Sequence, residues 1–295
     1  MGLGVDDPAQ NPLAVDAYPG LRTLLDGQRA VAATGRLSTA HAELIPTDAT
    51  LGIPGRPQSA TGQAAIVTGI NAPQRLGEHY GPRPNAAVRA ILDQDNLFKR
   101  AVATGLKAAA VDAYPPRFFE AIQRGKRLPS SLQHAVLSAG LRLFDEGDIY
   151  AGTGLSADWT GEGWREDLGY TDTPIYGRAE AGTLLAGLAQ RRDLTLYSTW
   201  ITDVVGHRGP LERGVALLEL FDAVMAGLLD AWDDRRGLVI ITSDHGNLED
   251  LSTRKHTSND VPTVIIGAAR GRVAEGLRDL TGIAPGILRV LDSGE

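Results

Sequence analysis

The run Leu238-Val239-Ile240-Ile241 is continuous, apolar and β-branched, and it reads as a buried strand. It ends at Thr242-Ser243, and Asp244-His245-Gly246-Asn247 follow where strand becomes loop. A second apolar strand spans Val261 to Ile266, after a polar loop that holds His256. Leu194 to Thr202 is also strand-like and runs into Asp203-Val204-Val205-Gly206-His207. Ala40 to Ile45 and Leu106 to Val111 add two shorter strands. Between them lie helical patterns. Leu21 to Leu25 is a short helix closed by Gly27, and an apolar helical run follows Ser59. Further helices are expected over 85–103, 132–143, 180–190, 211–232 and 277–291. Alternating strands and helices predict an α/β fold. The alternation fails over 115–175, where Pro115-Pro116, Phe118-Phe119 and a Gly/Asp/Trp-rich segment suggest an insert or cap. No internal repeat or low-complexity tract interrupts the rest.

Composition narrows the classes. A chain of 295 residues with 43% hydrophobic content holds one large domain, or a domain with an insert. The net charge of −7 argues against nucleic acid or an anionic membrane as partner. With no cysteine, disulfides and thiolate metal sites are excluded. No apolar run approaches the roughly 20 residues of a membrane span, and Met1 to Asp7 is no signal peptide. A cytoplasmic setting is the default expectation.

Chemistry gathers at two places. Asp203/His207 and Asp244/His245 each follow a strand, and His256 lies in the loop beside the second pair. Open α/β sheets place ligands at the carboxyl ends of their strands. A cysteine-free His/Asp set suits zinc or manganese, and magnesium less well. Two such clusters suggest two divalent ions, whose use is phosphoryl transfer. The stretch Gln58-Ser59-Ala60-Thr61-Gly62-Gln63 leads into a helix. Ser59 there is a plausible N-cap, at a terminus that favours developing negative charge.

Asp203-xxx-His207, Thr242-Ser243-Asp244-His245-Gly246-Asn247 and His256-Thr257 ahead of Val261-Pro262 together resemble the alkaline phosphatase superfamily. The pattern is most similar to the branch of cofactor-independent phosphoglycerate mutase and phosphopentomutase. Leu280 to Pro285 before the last helix resembles that branch too, and the likeness covers roughly 1–105 and 178–295. It implies a three-layer α/β/α core with a mostly parallel sheet, formed by 1–114 and 176–295, with 115–175 as a small cap. It implies that Asp203, His207 and His256 hold one ion, and that Asp244 and His245 belong to the other. Ser59, three residues before Gly62, matches the nucleophile that becomes phosphoserine and touches the second ion, with Thr61 as runner-up. The family has His after that glycine, where this chain has Gln63.

Family members open with an apolar strand ending in Asp-Gly, whose Asp is a further ligand of the second ion. This chain begins Met1-Gly2-Leu3-Gly4, inside the loop that follows that strand, so the core strand is missing. About five buried apolar side chains at roughly 1.5–3 kcal/mol each amount to about 10 kcal/mol, comparable to a domain's whole stability of roughly 5–15 kcal/mol. The expectation is therefore that Met1 is a misassigned start, a GTG codon within a longer gene.

Substrate-binding candidates are Arg56, Asp158, Arg165 and Asn247, with Asp48 and Glu249 near the motifs. An arginine can clamp a phosphate through two parallel hydrogen bonds. Phe118, Phe119, Trp164 and His134 are expected to pack. The reading is a two-metal phosphotransferase or phosphatase acting on a small phosphorylated metabolite. The insert of about 60 residues is short for a cap that excludes water, which favours hydrolysis over a mutase. A mutase is one alternative. A binding protein that lost a metal ligand is the other.

Overall fold

The computed structural model describes residues 1–292. Among the described residues six strands form two sheets: β1 (Leu37–Ser38), β2 (Ala42–Thr47), β3 (Ala108–Ala110), β4 (Leu194–Leu196), β5 (Val239–Ile241) and β6 (Val261–Ile266). The larger sheet has the order β1-β2-β6-β5, and β3 pairs with β4 in the smaller. Every residue of β6 is buried, as suits a Val/Ile-rich strand paired along both edges. Its one buried hydroxyl is satisfied sideways. Thr263 Oγ1 lies 2.8 Å from Thr47 Oγ1 and 3.0 Å from Thr242 Oγ1.

The α/β class expected from the sequence holds, and its sheet differs in one respect. Between named strands, parallel pairing is found in β3–β4 among the described residues, and the larger sheet is antiparallel throughout. The cause is β6, which returns between β2 and β5 and opposes both. With β6 set aside, β2 and β5 point the same way. Their carboxyl ends therefore open together, one leading toward Ser59 and the other into Thr242 to Asp244.

Helices cover these strands. Ser59–Thr68 buries Ala60, Thr61, Gly62, Ala64, Ala65 and Val67, a small-residue face that lets it press on the loop after β5. The expected helix over 85–103 is two, Ala86–Gln94 and Leu97–Ala103. Asn96 breaks it, because its Oδ1 accepts from the amides of Phe98 and Lys99 at 3.0 and 3.1 Å and starts a new helix. Beyond Leu196 the strand-like run also stops early. Residues Ile201–Arg208 are helical, so Asp203 and His207 stand one turn apart on a helix rather than at a strand end.

The segment 115–175 contains short helices and no named strand among the described residues. Phe144, Ile149, Leu155 and Trp164 from it share one apolar core with Val111, Leu185, Met225 and Leu228. Within its Gly/Asp/Trp-rich part, Glu162–Glu166 forms a helical turn the pattern did not predict. Asp158 creates that turn by accepting from Gly163 N at 2.7 Å. No helix among the described residues is long and apolar enough to cross a membrane.

Candidate metal centre

Three imidazoles converge on one carboxylate oxygen. Asp203 Oδ1 lies 3.4 Å from His207 Nε2, 3.4 Å from His256 Nε2 and 4.0 Å from His245 Nε2. His207 Nε2 and His256 Nε2 face each other at 3.2 Å, and the rings of His245 and His256 stack at 3.7 Å. The opposite ring nitrogens fix the tautomers. His207 Nδ1 donates to Arg254 O at 2.9 Å, and His256 Nδ1 donates to Pro57 O at 2.8 Å. Each imidazole thus turns a bare Nε2 lone pair inward, the orientation that backbone carbonyls impose on metal-ligating histidines. Asp203 Oδ1 is buried and accepts no hydrogen bond. A buried anionic oxygen facing several nitrogen lone pairs is an arrangement that a cation completes. Asp203, His245 and His256 offer ligand atoms that all lie within 4.8 Å of one another.

The second group adjoins the first through His245. Ser59 Oγ is 2.9 Å from His245 Nε2, and Asp244 Oδ1 is 3.7 Å from the same nitrogen. Asp244 Oδ2 accepts from Gln63 Nε2 at 2.9 Å. Gln63 occupies the position where the family has His, and its amide holds the carboxylate in place. Ser59 is the first helical residue rather than the cap. Gln58 is the N-cap, and the Ser59 hydroxyl reaches His245 instead of the helix's own amides. The cap expected at Ser59 thus falls on Gln58, and the Ser59 side chain is turned to His245.

Electrostatics support this set. Burial pushes the Asp203 carboxyl up, but neighbouring His256 first, with His245 and His207, outweighs it and holds it below the usual carboxylate range. Burial acts against protonation of His256, yet Asp203 and Pro57 O raise it above the usual imidazole value. For His245, burial dominates and lowers it.

The loop carrying His245 is built around Glu249. This fully buried carboxylate accepts from Gly2 N at 2.6 Å, Asn247 N at 2.7 Å and Asn259 Nδ2 at 3.1 Å, and from the Thr257 hydroxyl. Burial would raise its pKa, but the Met1 ammonium and these donors keep it below the ordinary range. Met1 N itself donates to Ser243 Oγ at 2.7 Å and to His245 O at 2.6 Å. Two glycines allow the close packing. A Cβ on Gly62 would lie 2.5 Å from Asp244 O, and one on Gly206 would lie 2.5 Å from Asn247 Cγ.

The structure thus gathers Ser59, Asp203, His207, Asp244, His245 and His256. It places His245 with Asp203 and His256 as well as with Asp244, where the family pattern divides them between two ions. Asn247 adjoins the group, its Nδ2 3.4 Å from His207 Nδ1. Arg56 is exposed in the loop before Ser59. Asp158 and Arg165 are spent on the 115–175 segment itself, the first on Gly163 N and the second on Thr173 O at 2.6 Å. The roles of Gln63, Gly62 and Gly206 were missed from sequence. Their signal was small or amide side chains next to motif residues, which only the packing explains.

Comparison with known proteins bears on the fold and on part of the sequence. The whole chain superposes on the PH0037 protein from Pyrococcus horikoshii with a TM-score of 0.54 at 14% identity, covering 100% of this chain and 95% of that one. The alkaline phosphatase from the Antarctic bacterium TAB5 gives 0.51 at 14% identity, covering 85% and 88%. The fold is therefore alkaline-phosphatase-like. Residues 181–291, which contain all five Asp and His positions, match the model of the Metalloenzyme superfamily. Over 111 residues the chain is 31% identical to the 2,3-bisphosphoglycerate-independent phosphoglycerate mutase of Methylobacillus flagellatus, covering 35% of this chain and 22% of the relative. With the corresponding mutase of Francisella philomiragia it shares 37% over 98 residues, covering 31% and 19%. The aligned part thus spans about a fifth of the length of these curated relatives.

Proposed function

We propose that the chain is a two-metal phosphoester hydrolase that works through a phosphoserine at Ser59. The observation that carries the reading is the Ser59 Oγ–His245 Nε2 contact of 2.9 Å, made beside an Asp/His set whose lone pairs converge. His207 and His256, oriented by carbonyls, would hold one divalent ion with Asp203, and Asp244 with His245 and Ser59 would face a second. Manganese or zinc suits these donors, and magnesium less well. When bound, such ions lower the pKa of a coordinated hydroxyl and neutralise phosphoryl oxygens.

The chain's own residues supply the rest. Ser59 Oγ attacks phosphorus, the phosphorus–ester oxygen bond breaks, and the serine proton ends on that oxygen, which leaves as an alcohol. Ser59 heads a ten-residue helix, whose amino end favours the charge that builds on the phosphoryl oxygens. Water then attacks the phosphoserine, releasing phosphate and restoring the hydroxyl. Gln63 keeps Asp244 aimed by donating to its Oδ2. The side chains of Asp203 and His207 are each 35% exposed, so water reaches the centre. That access favours hydrolysis over return of the phosphoryl group to the substrate. The substrate class is a small phosphorylated metabolite, with 115–175 as the segment that caps it.

The test is acid-quench mass spectrometry with p-nitrophenyl phosphate and manganese. Phosphate is expected on Ser59, and Ser59→Ala should lose both the adduct and turnover while still binding metal. Turnover retained by Ser59→Ala would overturn the assignment.

A further inference from the structure

One carboxylate in the core is used by no step of the proposed chemistry. Asp112 lies two residues past β3 and is 4% exposed. Its Oδ2 accepts from the Tyr114 hydroxyl and from Ser198 Oγ, the latter at 3.0 Å. Its Oδ1 is buried and meets no donor. No cation pairs with it among the described residues. The titratable groups that face it are Tyr114 and Tyr197. Gln133, from the helix Ser131–Ser138, faces the Tyr114 hydroxyl. The charged groups beyond are Arg83 and Arg127 on the Tyr114 side, and Asp158 on the Tyr197 side.

An ionised carboxylate here would place charge on an oxygen with neither donor nor cation, and burying that costs far more than burying a neutral group. A carboxylic acid fits the same contacts. Oδ2 then carries the proton, Oδ1 is an ordinary carbonyl, and the two hydroxyls can accept as well as donate. Burial pushes the Asp112 carboxyl up, and the hydroxyls with the amides of Asp112 and Ser198 offset this only in part. The position is also a joint. Val111 N donates to Leu196 O at 2.9 Å, while Ala113 N and Tyr114 N donate to Leu155 O and Phe144 O at 2.8 and 3.0 Å. The 115–175 segment is thus fastened beside β3 and β4 just where it begins. Ser198 in turn stands three residues before the helix Ile201–Arg208, which carries Asp203 and His207.

We propose that Asp112 is a positioning residue held as a neutral carboxylic acid, which ties Tyr114 at the head of the 115–175 segment to Ser198 on the approach to the helix of Asp203 and His207. Ionisation opens the joint from inside, because the charge it creates has no partner in the core and draws water to Oδ1. The segment and the helix then lose their common anchor. The unfolded carboxyl ionises near its ordinary value of about 3.9, and the folded one ionises higher. The stability that Asp112 contributes is therefore full below about pH 3.9 and is lost as pH rises through the folded value.

The experiment compares wild type with Asp112→Asn, which keeps the shape of the neutral acid and cannot ionise. Unfolding of the full chain is followed in EDTA from pH 5 to pH 8, where Asp203 and His256 titrate in both proteins and cancel in the difference. The folding constant of wild type is expected to fall relative to that of Asp112→Asn by up to about tenfold per pH unit. An infrared difference spectrum at pH 6, also in EDTA, should show the carbonyl band of a carboxylic acid in wild type alone. A stability difference that stays constant or reverses with pH overturns the proposal, and so does an absent acid band. An Asp112→Asn chain that fails to fold overturns it too, because an amide matches the acid and not the carboxylate. Ser198→Ala tests the positioning, since it removes one hydroxyl from the joint and touches no ligand. It should bind manganese roughly tenfold more weakly, the scale of disturbed ligand support, whereas Asp112→Asn binds like wild type at pH 7. Unchanged affinity in Ser198→Ala overturns the positioning role. Only this arm rests on the metal reading, and the EDTA arms stand or fall whatever Ser59 does.

Discussion

Gly206 sits between Asp203 and His207 on the helix Ile201–Arg208, and its replacement by alanine sets two effects against each other. Helix propensity alone favours alanine by about 1 kcal/mol. The packing opposes it. A Cβ at 206 would lie 2.5 Å from Asn247 Cγ, closer still to Asn247 Oδ1, and 3.1 Å from Leu248 N. Asn247 is 1% exposed, so its short side chain has nowhere to swing, and Leu248 offers backbone. Overpacking of this kind costs about 1–3 kcal/mol. The net loss is then about 0–2 kcal/mol, small against a domain's stability of roughly 5–15 kcal/mol. The larger effect falls on the centre. Relief requires the helix and the 245–248 loop to part, and this separates Asp203 and His207 from His245. Disturbed ligand support typically lowers metal affinity by about 10–100-fold. The assay is manganese titration by calorimetry, with thermal melting in the presence and absence of metal. Gly206→Ala is expected to keep its fold, melt within a few degrees of wild type without metal, and bind manganese at least tenfold more weakly. A variant that melted higher and bound manganese unchanged would refute the reasoning, because propensity would then have won over contact.

Glu249→Gln should destabilise the protein by about 2–4 kcal/mol, because one carboxylate oxygen facing the amides of Gly2 and Asn247 becomes a donor or loses its charge. Urea denaturation measures this, and a loss below about 0.5 kcal/mol would show that the buried charge is not what holds the loop. The pH dependence follows from Asp203 and His256. Asp203, held below its ordinary value of about 3.9, contributes stability that is present above that pH and lost as pH falls through its lowered value. His256, raised above about 6.5, contributes stability that is full below that pH and lost as pH rises through its raised value. In EDTA both contributions are therefore complete only between about pH 4 and 6.5. Metal needs the deprotonated His256, so the melting-temperature gain from added manganese should grow from pH 5.5 to pH 8. A gain equal at both values would separate His256 from the metal.

What the sequence made legible was local chemistry. The apolar run 238–241 and the following Asp244-His245 predicted strand and loop, and Val239–Ile241 pairs with β6 as that pattern implies. The spacing of Asp203 and His207 carried its own geometry. Read as a strand tail it put the pair on one side of an extended chain, while the observed helix keeps them together by the four-residue rule. Either backbone brings the two side chains to one face, so Asp203 and His207 meet although the secondary structure differs from the one expected. Ser59 is the opposite case. Its local pattern is that of a cap, and only the contact to His245, 186 residues away, sets it apart from an ordinary helix start.

The features that stayed hidden are those defined by contact between distant segments. Gln63, Gly62 and Gly206 are unremarkable in their own surroundings. Each takes its meaning from the 244–248 loop, which arrives from beyond residue 240 after the whole helical layer has been laid down. Sheet direction was hidden for the same reason. Periodicity reports whether β6 is buried, and all six of its residues are, but a strand buried on both faces looks alike whichever way it runs. Arg83 and Arg127 show the limit most clearly. Sequence offers 25 arginines beside 4 lysines, with nothing to rank them. The fold separates them, since Arg22, Arg29, Arg100 and Arg142 are matched by carboxylates, whereas the Arg127 guanidinium lies over the Phe118 ring and Arg83 is half-buried.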